Sequence, residues 1–346
     1  MENVKAKNLR VATAKIAKAT GFSRKVIRTA IKRSKEEQAL RKQILSGIRV
    51  GKMDLNSSYL TFDGLLPLEL PDGVRIVVLP DLHAPAHHEA IMWAVKQFLH
   101  DYQPHILILI GDVCDAFGLS AWPKGPRVPS DLNNELWEAR KLIDELIEIS
   151  GCERCFIIMG NHEDRARRWL MNYGATISRV TGAASHEPIL SFHEMMGYKP
   201  GDKVTFIYDM QQGGGFGGGL TINDDLKFLH GYIVRPRPGA SPRAVADSNL
   251  TSIVHGHTHR LGANFREILR GVVRAYEIGH LVNPMHPMMA YANMLNNWHP
   301  GFLAGEVVNG KMQGNLVPII QVEPEPNRWK YVFMYDGKLY KGADRG

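Results

Sequence analysis

Cysteine is scarce, with three in 346 residues, so no disulfide framework organises this chain. Cys152 and Cys155 make a lone C-x-x-C. A zinc ribbon needs a second such pair, so these read as two ordinary reduced thiols before a buried strand. Long apolar runs are also missing. None reaches the roughly 18 residues of a membrane span, and no signal-peptide pattern opens the sequence. A reduced, cytoplasmic setting without membrane attachment is the expectation.

Acidic residues are nearly absent from the first 52 positions, which carry 15 Lys/Arg against 3 Asp/Glu, a balance of +12. The rest of the chain, with 27 basic and 32 acidic residues, stands at −5. The overall +7 therefore belongs to one segment, and such a segment attracts polyanions, nucleic acid above all.

Residues 11–33 read as two short helices around a turn. Ile16 and Ala17 share a face of the first, Gly21 suits its left-handed terminus, and Ser23 suits the N-cap of the second. Val26, Ile27, Ala30 and Ile31 form one apolar stripe on that second helix. The spacing Ala17–Gly21–Ile27 resembles a helix-turn-helix whose second helix offers Arg24, Lys25, Arg28 and Lys32 to DNA. A basic helical hairpin used for assembly is the competing reading. Because helix-turn-helix proteins commonly pair, a homodimer is a further expectation.

Residues 34–50 continue as a charged helix, closing a segment over 1–50, and 51–60 read as a linker. Over 61–325 short apolar runs alternate with amphipathic helices. Strands are predicted at 75–79, 105–110, 155–159, 204–208, 226–229 and 251–254, with helices at 88–100 and 132–149. That alternation implies an α/β layered core. The Gly-rich stretch 211–219 lacks the Gly-Lys-Ser/Thr ending of a phosphate-binding loop and reads as a flexible connection. Residues 326–346 read as a hairpin turning at Asp336-Gly337.

The chemistry lies at the ends of the strands: Asp81-x-His83, Gly111-Asp112, Gly160-Asn161-His162-Glu163, His230-Gly231 and Gly256-His257-x-His259. Each pair alone is a weak signal, since a lone histidine is more often packed than ligating. Together, five strands deliver carboxylate, imidazole or amide oxygen to their C-terminal ends, the edge where α/β sheets bind ligands. Mixed O and N donors suit Mn, Fe, Zn or Ni better than Mg or Ca. Two dications about 3.5–4 Å apart need a shared anion, and Asp112 is placed to supply it.

The ordered set resembles the calcineurin-like metallophosphoesterase signature, over about 180 residues. Val254–Arg260, Asn161–Arg165 and Asn297–Phe302 look most like phage- and prophage-encoded members, which would put the protein in a bacterial host. The resemblance implies a β-sandwich flanked by helices, joined here to a small all-α N-terminal segment, and two divalent metal ions, Mn foremost. By position, Asp81, His83, Asp112 and His259 would hold one ion; Asp112, Asn161, His230 and His257 the other. A metal-bridging hydroxide would be the nucleophile. His162 would act at the leaving group, held protonated by a carboxylate, with Asp115 the candidate partner. Arg165, Arg235 and Arg260 are candidates to grip phosphate, with Arg168 a further cation nearby. The family's protein phosphatases often read Gly-Asp-x-x-Asp-Arg, whereas Asp115 here precedes Ala116, which weakens a protein-phosphatase reading. Joined to a basic helix-turn-helix, such a core is expected to be a phosphodiesterase cleaving DNA. A phosphomonoesterase and a catalytically idle DNA-binding regulator are the alternatives.

Overall fold

The computed structural model describes residues 12, 15–16, 18–20, 23–50, 53–54, 61–121, 131–182, 188–208, 218–269, 271–290, 297–325 and 328–343. The chain forms two compact units, Met1–Gly47 and Ile48–Gly346.

In the first unit the expected short second helix and its charged continuation are one 23-residue helix, α1 (Arg24–Ser46). Ser23 caps it, its Oγ accepting from Val26 N at 3.3 Å. The helix stops short of residue 50 because the Gly47 N–H turns back to the Ile44 and Leu45 carbonyls. Of the expected stripe, Ile27 is buried while Val26 and Ala30 are exposed. Lys18–Thr20 are helical. Ala17 and Gly21, and the side chains of Arg24 and Arg28, lie outside the described residues. Lys25 is exposed, and Lys32 lies 3.6 Å from Glu36 on the same helix.

The second unit is a mixed α/β fold of two sheets flanked by helices. One sheet runs in the order β15 (Lys311–Pro318), β14 (Gly301–Val308), β5 (Arg75–Leu79), β6 (Ile106–Leu109), β7 (Arg154–Ile158), β8 (Val204–Tyr208), β3 (Thr61–Asp63). The other runs β12 (Leu261–Ile268), β13 (Gly271–Ile278), β11 (Ser252–His255), β10 (Leu226–Leu229), β9 (Gly219–Ile222), β4 (Leu65–Glu69), β1 (Arg49–Val50), β2 (Met53–Asp54). Strands β5 to β8 are mutually parallel, as are β10 and β11. Both faces of β6, β7, β8 and β11 are buried, which explains why these segments read as continuous apolar runs. Val77, Leu107, Ile157 and Phe206 pack with residues of α2 (Glu89–Tyr102) and α3 (Leu132–Ser150). The alternating residues Ile76, Ile108 and Phe156 are equally buried on the opposite face, as the two-residue strand period requires.

The expected linker over 51–60 is interrupted: Met53–Asp54 pairs antiparallel with Arg49–Val50, which in turn pairs with β4. Ile48 and Val50 are buried, so the body begins at Ile48 rather than beyond 60. Two apolar residues in a basic run were too short a pattern to register as a strand. The Gly-rich connection lies outside the described residues up to 217. The C-terminal hairpin is larger than expected: β16 (Ile320–Glu325), β17 (Arg328–Tyr335) and β18 (Lys338–Ala343) form a three-stranded sheet. Its turn is at Asp336-Gly337, both with positive φ. It is part of the body's core. Phe333 and Tyr340 stack at 5.1 Å and meet Phe98 of α2 edge-on.

Candidate metal centre

Three strands of one sheet and two of the other end at the same place. Asp81 and His83 follow β5, Asp112 follows β6, Asn161 and His162 follow β7, His230 follows β10, and His257 and His259 follow β11. The ligand atoms of Asp81, His83 and His259 lie within 4.8 Å of one another, as do those of Asp112, His230 and His257. A third set, His83, Asp115 and His162, meets the same limit. Asp112 sits between the groups: its Oδ2 is 3.3 Å from His230 Nε2, 3.8 Å from His83 Nε2 and 3.7 Å from His162 Nε2.

The backbone is bent to achieve this. Asp81, His83, Asp112, His257 and His259 all adopt positive φ, between 45° and 66°. A non-glycine residue there costs about 1–3 kcal/mol and persists only where its surroundings dictate it. Glycines supply the clearance: a Cβ on Gly111 would strike the His230 ring, and one on Gly160 would strike Asp112. This is the physical reason for the Gly-Asp and Gly-Asn pairs.

The donor set fits metal ions, by three observations. His83 Nδ1 pairs with Asp115 Oδ2 at 2.9 Å, and His230 Nδ1 donates to the Ile110 carbonyl at 2.8 Å. Each pairing orients the ring with Nε2 inward, the usual support for a ligating imidazole. His83 Nε2 and His259 Nε2 then face each other 3.1 Å apart. Adjacent ligands at right angles around an ion with ~2.1 Å bonds are about 3 Å apart. Finally, His230 Nε2 faces the Asn161 Oδ1, itself only an acceptor, at 3.1 Å. That opposition needs either a proton or a cation between them.

The electrostatics are those of a crowded, buried cluster in which carboxylates and imidazoles shift one another. Burial pushes the Asp81 carboxyl up to about 7, with Asp112 adding to the rise against His230 and His83. Burial would also raise Asp112, but His162, His230 and His83 outweigh it and hold that carboxyl well below the ordinary range. Burial would lower His230, yet Asp112 brings it to about 9. Burial, then the neighbouring His230, pushes His257 down to about 3. Burial and His83 likewise hold His259 well below 6.5. Neutral His257 and His259 are in ligating form.

Asp115 does more than its expected pairing with His162. Its carboxylate orients His83 and takes an ion pair from Arg165 at 3.1 Å, while its carbonyl accepts from His162 Nδ1 at 2.9 Å. The carboxylate is 3.3 Å from the same nitrogen. Burial opposes protonation of His162, but Asp112 and Asp115 raise its pKa overall. Arg165 Nη2 donates to His162 Nε2 at 3.1 Å, so in this arrangement Nδ1 carries the ring proton. Among the arginines singled out, Arg165 is bonded into the cluster. Arg260 donates instead to the Arg235 carbonyl, and Arg235 is exposed. Arg168 donates to the Asn161 carbonyl at 2.8 Å. His255 is a packed residue: its Nδ1 bonds the Gly256 carbonyl at 2.8 Å, its ring fills the space a Gly231 side chain would need, and burial lowers its pKa to about 4.

Two buried glutamates, to which sequence reasoning gave no role, hold the ligand loops. The Glu163 carboxylate accepts from the backbone of Asp112, Val113, Cys114 and Gly160 at 2.6–3.0 Å, clamping two ligand loops together. Glu277, on β13, accepts from Thr258 Oγ1 and Gly239 N, fixing the His257–His259 loop. A fully buried carboxylate in the apolar run Ala275–Ile278 was the available signal for the second. Glu163→Gln should lower unfolding stability by about 2–4 kcal/mol, because buried donors lose a charged acceptor. Urea denaturation reads this; a change below about 0.5 kcal/mol contradicts the clamp.

The sequence profile of the calcineurin-like phosphoesterase family matches residues 74–261, more than half of the chain and every residue of the cluster. The gene 54 proteins of Mycobacterium phages L5 and D29 are 25% and 26% identical over 260 and 263 residues, each alignment covering 71% of this chain and 94% of the relative. Among solved structures, a Vps29 single mutant from Entamoeba histolytica (13% identical, TM-score 0.36, covering 78% of this chain and 97% of that one) and a Vps29 from Cryptosporidium parvum (14%, TM-score 0.37, 79% and 97%) overlap only loosely. On the family match and the ligand cluster it encloses, this chain belongs to the calcineurin-like phosphoesterases and is a metal-dependent phosphoesterase.

Proposed function

We propose that the protein is a phosphodiesterase that cleaves nucleic acid, DNA foremost, with Asp81, His83, Asp112 and His259 holding one divalent ion and Asp112, Asn161, His230 and His257 the other. The observation that carries the substrate class is the pairing of a hydrolytic cluster with an N-terminal segment of balance +12. Two such ions, Mn foremost, would supply a Lewis acid for the phosphoryl oxygens and lower the pKa of attacking water. The chain's own groups do the rest. Arg165, fixed by Asp115, and His162 converge 3.1 Å apart, so an incoming phosphate oxygen can accept from both once it separates them. Asp112 and Asp115 favour the protonated imidazole, which makes His162 the group to deliver a proton to the departing oxygen. Ala116 in place of an arginine disfavours a protein phosphatase.

Purified protein with Mn²⁺ is offered bis-p-nitrophenyl phosphate, p-nitrophenyl phosphate and plasmid DNA. Cleavage of the diester and the plasmid is expected. Turnover of the monoester alone would make the protein a phosphomonoesterase, and DNA binding without turnover an idle regulator. Deleting residues 1–47 should leave small-diester hydrolysis intact. It should weaken DNA binding and flatten its dependence on log salt by about 3–4, for the loss of up to four phosphate contacts from Arg24, Lys25, Arg28 and Lys32. Unchanged DNA affinity would remove the helix-turn-helix reading.

A further inference from the structure

The helix α4 (Asp164–Tyr173) begins directly after the Asn161-His162-Glu163 loop. One face buries Ala166 and Leu170, as an amphipathic helix should. The other face is unusual in composition. Arg165, Arg168, Trp169, Asn172 and Tyr173 fall at the i, i+3, i+4, i+7, i+8 positions of a single stripe, and all five line one cavity of about 530 Å³ together with Asn161. That volume lies within the ~300–1,000 Å³ of small-ligand sites. Trp169 and Tyr173 remain 45% and 77% exposed, with ring centroids 5.6 Å apart and planes at 47°. Neither ring is needed to close the core. The cations beside them are fixed. Arg165 is paired to Asp115, and Arg168 is held by Asp164 at 3.1 Å and by the Asn161 carbonyl at 2.8 Å. The stripe therefore runs from a ligand-bearing loop, through two anchored guanidiniums, to an open aromatic pair flanked by a carboxamide.

We propose that this face of α4 is a nucleoside subsite: Arg168 takes the phosphate next to the one that Arg165 and His162 meet, Trp169 and Tyr173 stack an unpaired base, and Asn172 reaches its edge. This rests on the phosphodiester reading above and narrows it to a strand whose bases are unpaired at the point of cleavage. Stacking on aromatic rings tolerates any base, since every base has a π-face, so the subsite selects single-stranded character rather than sequence. A duplex would keep its bases stacked on one another and leave the rings unused.

The test is equilibrium binding by the full chain in EDTA, which separates it from catalysis. Competitors are the trinucleotide of thymidine, the same trinucleotide with abasic residues, and thymidine 5′-monophosphate. All are measured at low ionic strength against a labelled oligothymidine. The two trinucleotides carry equal charge, so the basic N-terminal segment cannot tell them apart. Wild-type protein should prefer the base-bearing trinucleotide by about tenfold or more. Trp169→Ala with Tyr173→Ala should abolish that preference, and Trp169→Phe should keep most of it; both rings are exposed, and unchanged circular dichroism confirms that each variant folds. Equal binding of the two trinucleotides by wild type, or a preference that survives the double substitution, overturns the proposal. Thymidine 5′-monophosphate binding as tightly as the trinucleotide would overturn its assignment to a strand, in favour of a free nucleotide. Failure of wild type to hydrolyse bis-p-nitrophenyl phosphate with Mn²⁺ would instead sink the phosphodiester reading, and leaves the base preference to be judged by itself.

Discussion

Asp112→Asn is expected to reduce Mn²⁺-dependent hydrolysis of bis-p-nitrophenyl phosphate by about 10³-fold, with loss of metal from the protein. The substitution is nearly isosteric and leaves an oxygen to accept the His162 N–H that now bonds Asp112 Oδ1 at 3.0 Å, so folding should survive. What it removes is the negative charge that sits 3.3–3.8 Å from three imidazoles. No other carboxylate among the described residues replaces it: Asp81 is engaged by the His257 backbone, Asp115 by His83 and Arg165. Metal content by mass spectrometry and turnover should therefore fall together. Full activity in this variant would remove Asp112 from the centre of the site.

His162→Ala should lower turnover by about 10²–10⁴-fold, the usual size for a lost acid–base group, while metal content stays at the wild-type level. The size of the loss should depend on the leaving group. p-Nitrophenolate leaves readily without a proton, whereas the alkoxide released from a DNA strand does not. The defect should then be larger on DNA than on bis-p-nitrophenyl phosphate, which pure phosphate binding by His162 does not predict. Loss of metal from this variant, or an equal defect on both substrates, contradicts the role as proton donor.

Most of the strands that carry the site were legible because both their faces are buried, as in β6, β7 and β11. Arg75–Leu79, Val204–Tyr208 and Leu226–Leu229 sit where their apolar runs predicted, and the other predicted strands are displaced by a residue or so at their ends. The ligand motifs stood out because their polar residues interrupt those runs at a fixed edge. Hidden were the strands with a wetted face, such as Leu261–Ile268, and the short Arg49–Val50, whose partner is β4. Geometry between distant segments was likewise beyond a linear reading. That Asp115 would serve His83 as much as His162, or that Glu163 would gather four backbone donors, is decided by where β6 and β7 lie in the sheet, not by local pattern. The left-handed φ of Asp81, His83 and Asp112 had no clear sequence signal: Asp and His enter that region more often than most side chains, yet still only rarely. The glycines beside Asp112 and Asn161 were visible, but not the collisions they avoid.

Asp81 and His257 also link the two sheets at the site. The Asp81 carboxylate accepts the His257 backbone N–H at 3.0 Å, joining the end of β5 to the end of β11. The same carboxylate is 3.3 Å from His259 Nε2. One side chain thus joins the two strand ends and contributes to the cluster, so a disturbance of the sheet packing there should reach the candidate metal centre directly.

Anomalous diffraction from crystals grown with Mn²⁺ bears most directly on all of this. Two manganese peaks are predicted, both within bonding distance of the Asp112 carboxylate, one completed by Asp81, His83 and His259 and the other by Asn161, His230 and His257. A single peak, or peaks that leave Asp112 uncoordinated, would contradict a paired-ion centre built from these loops.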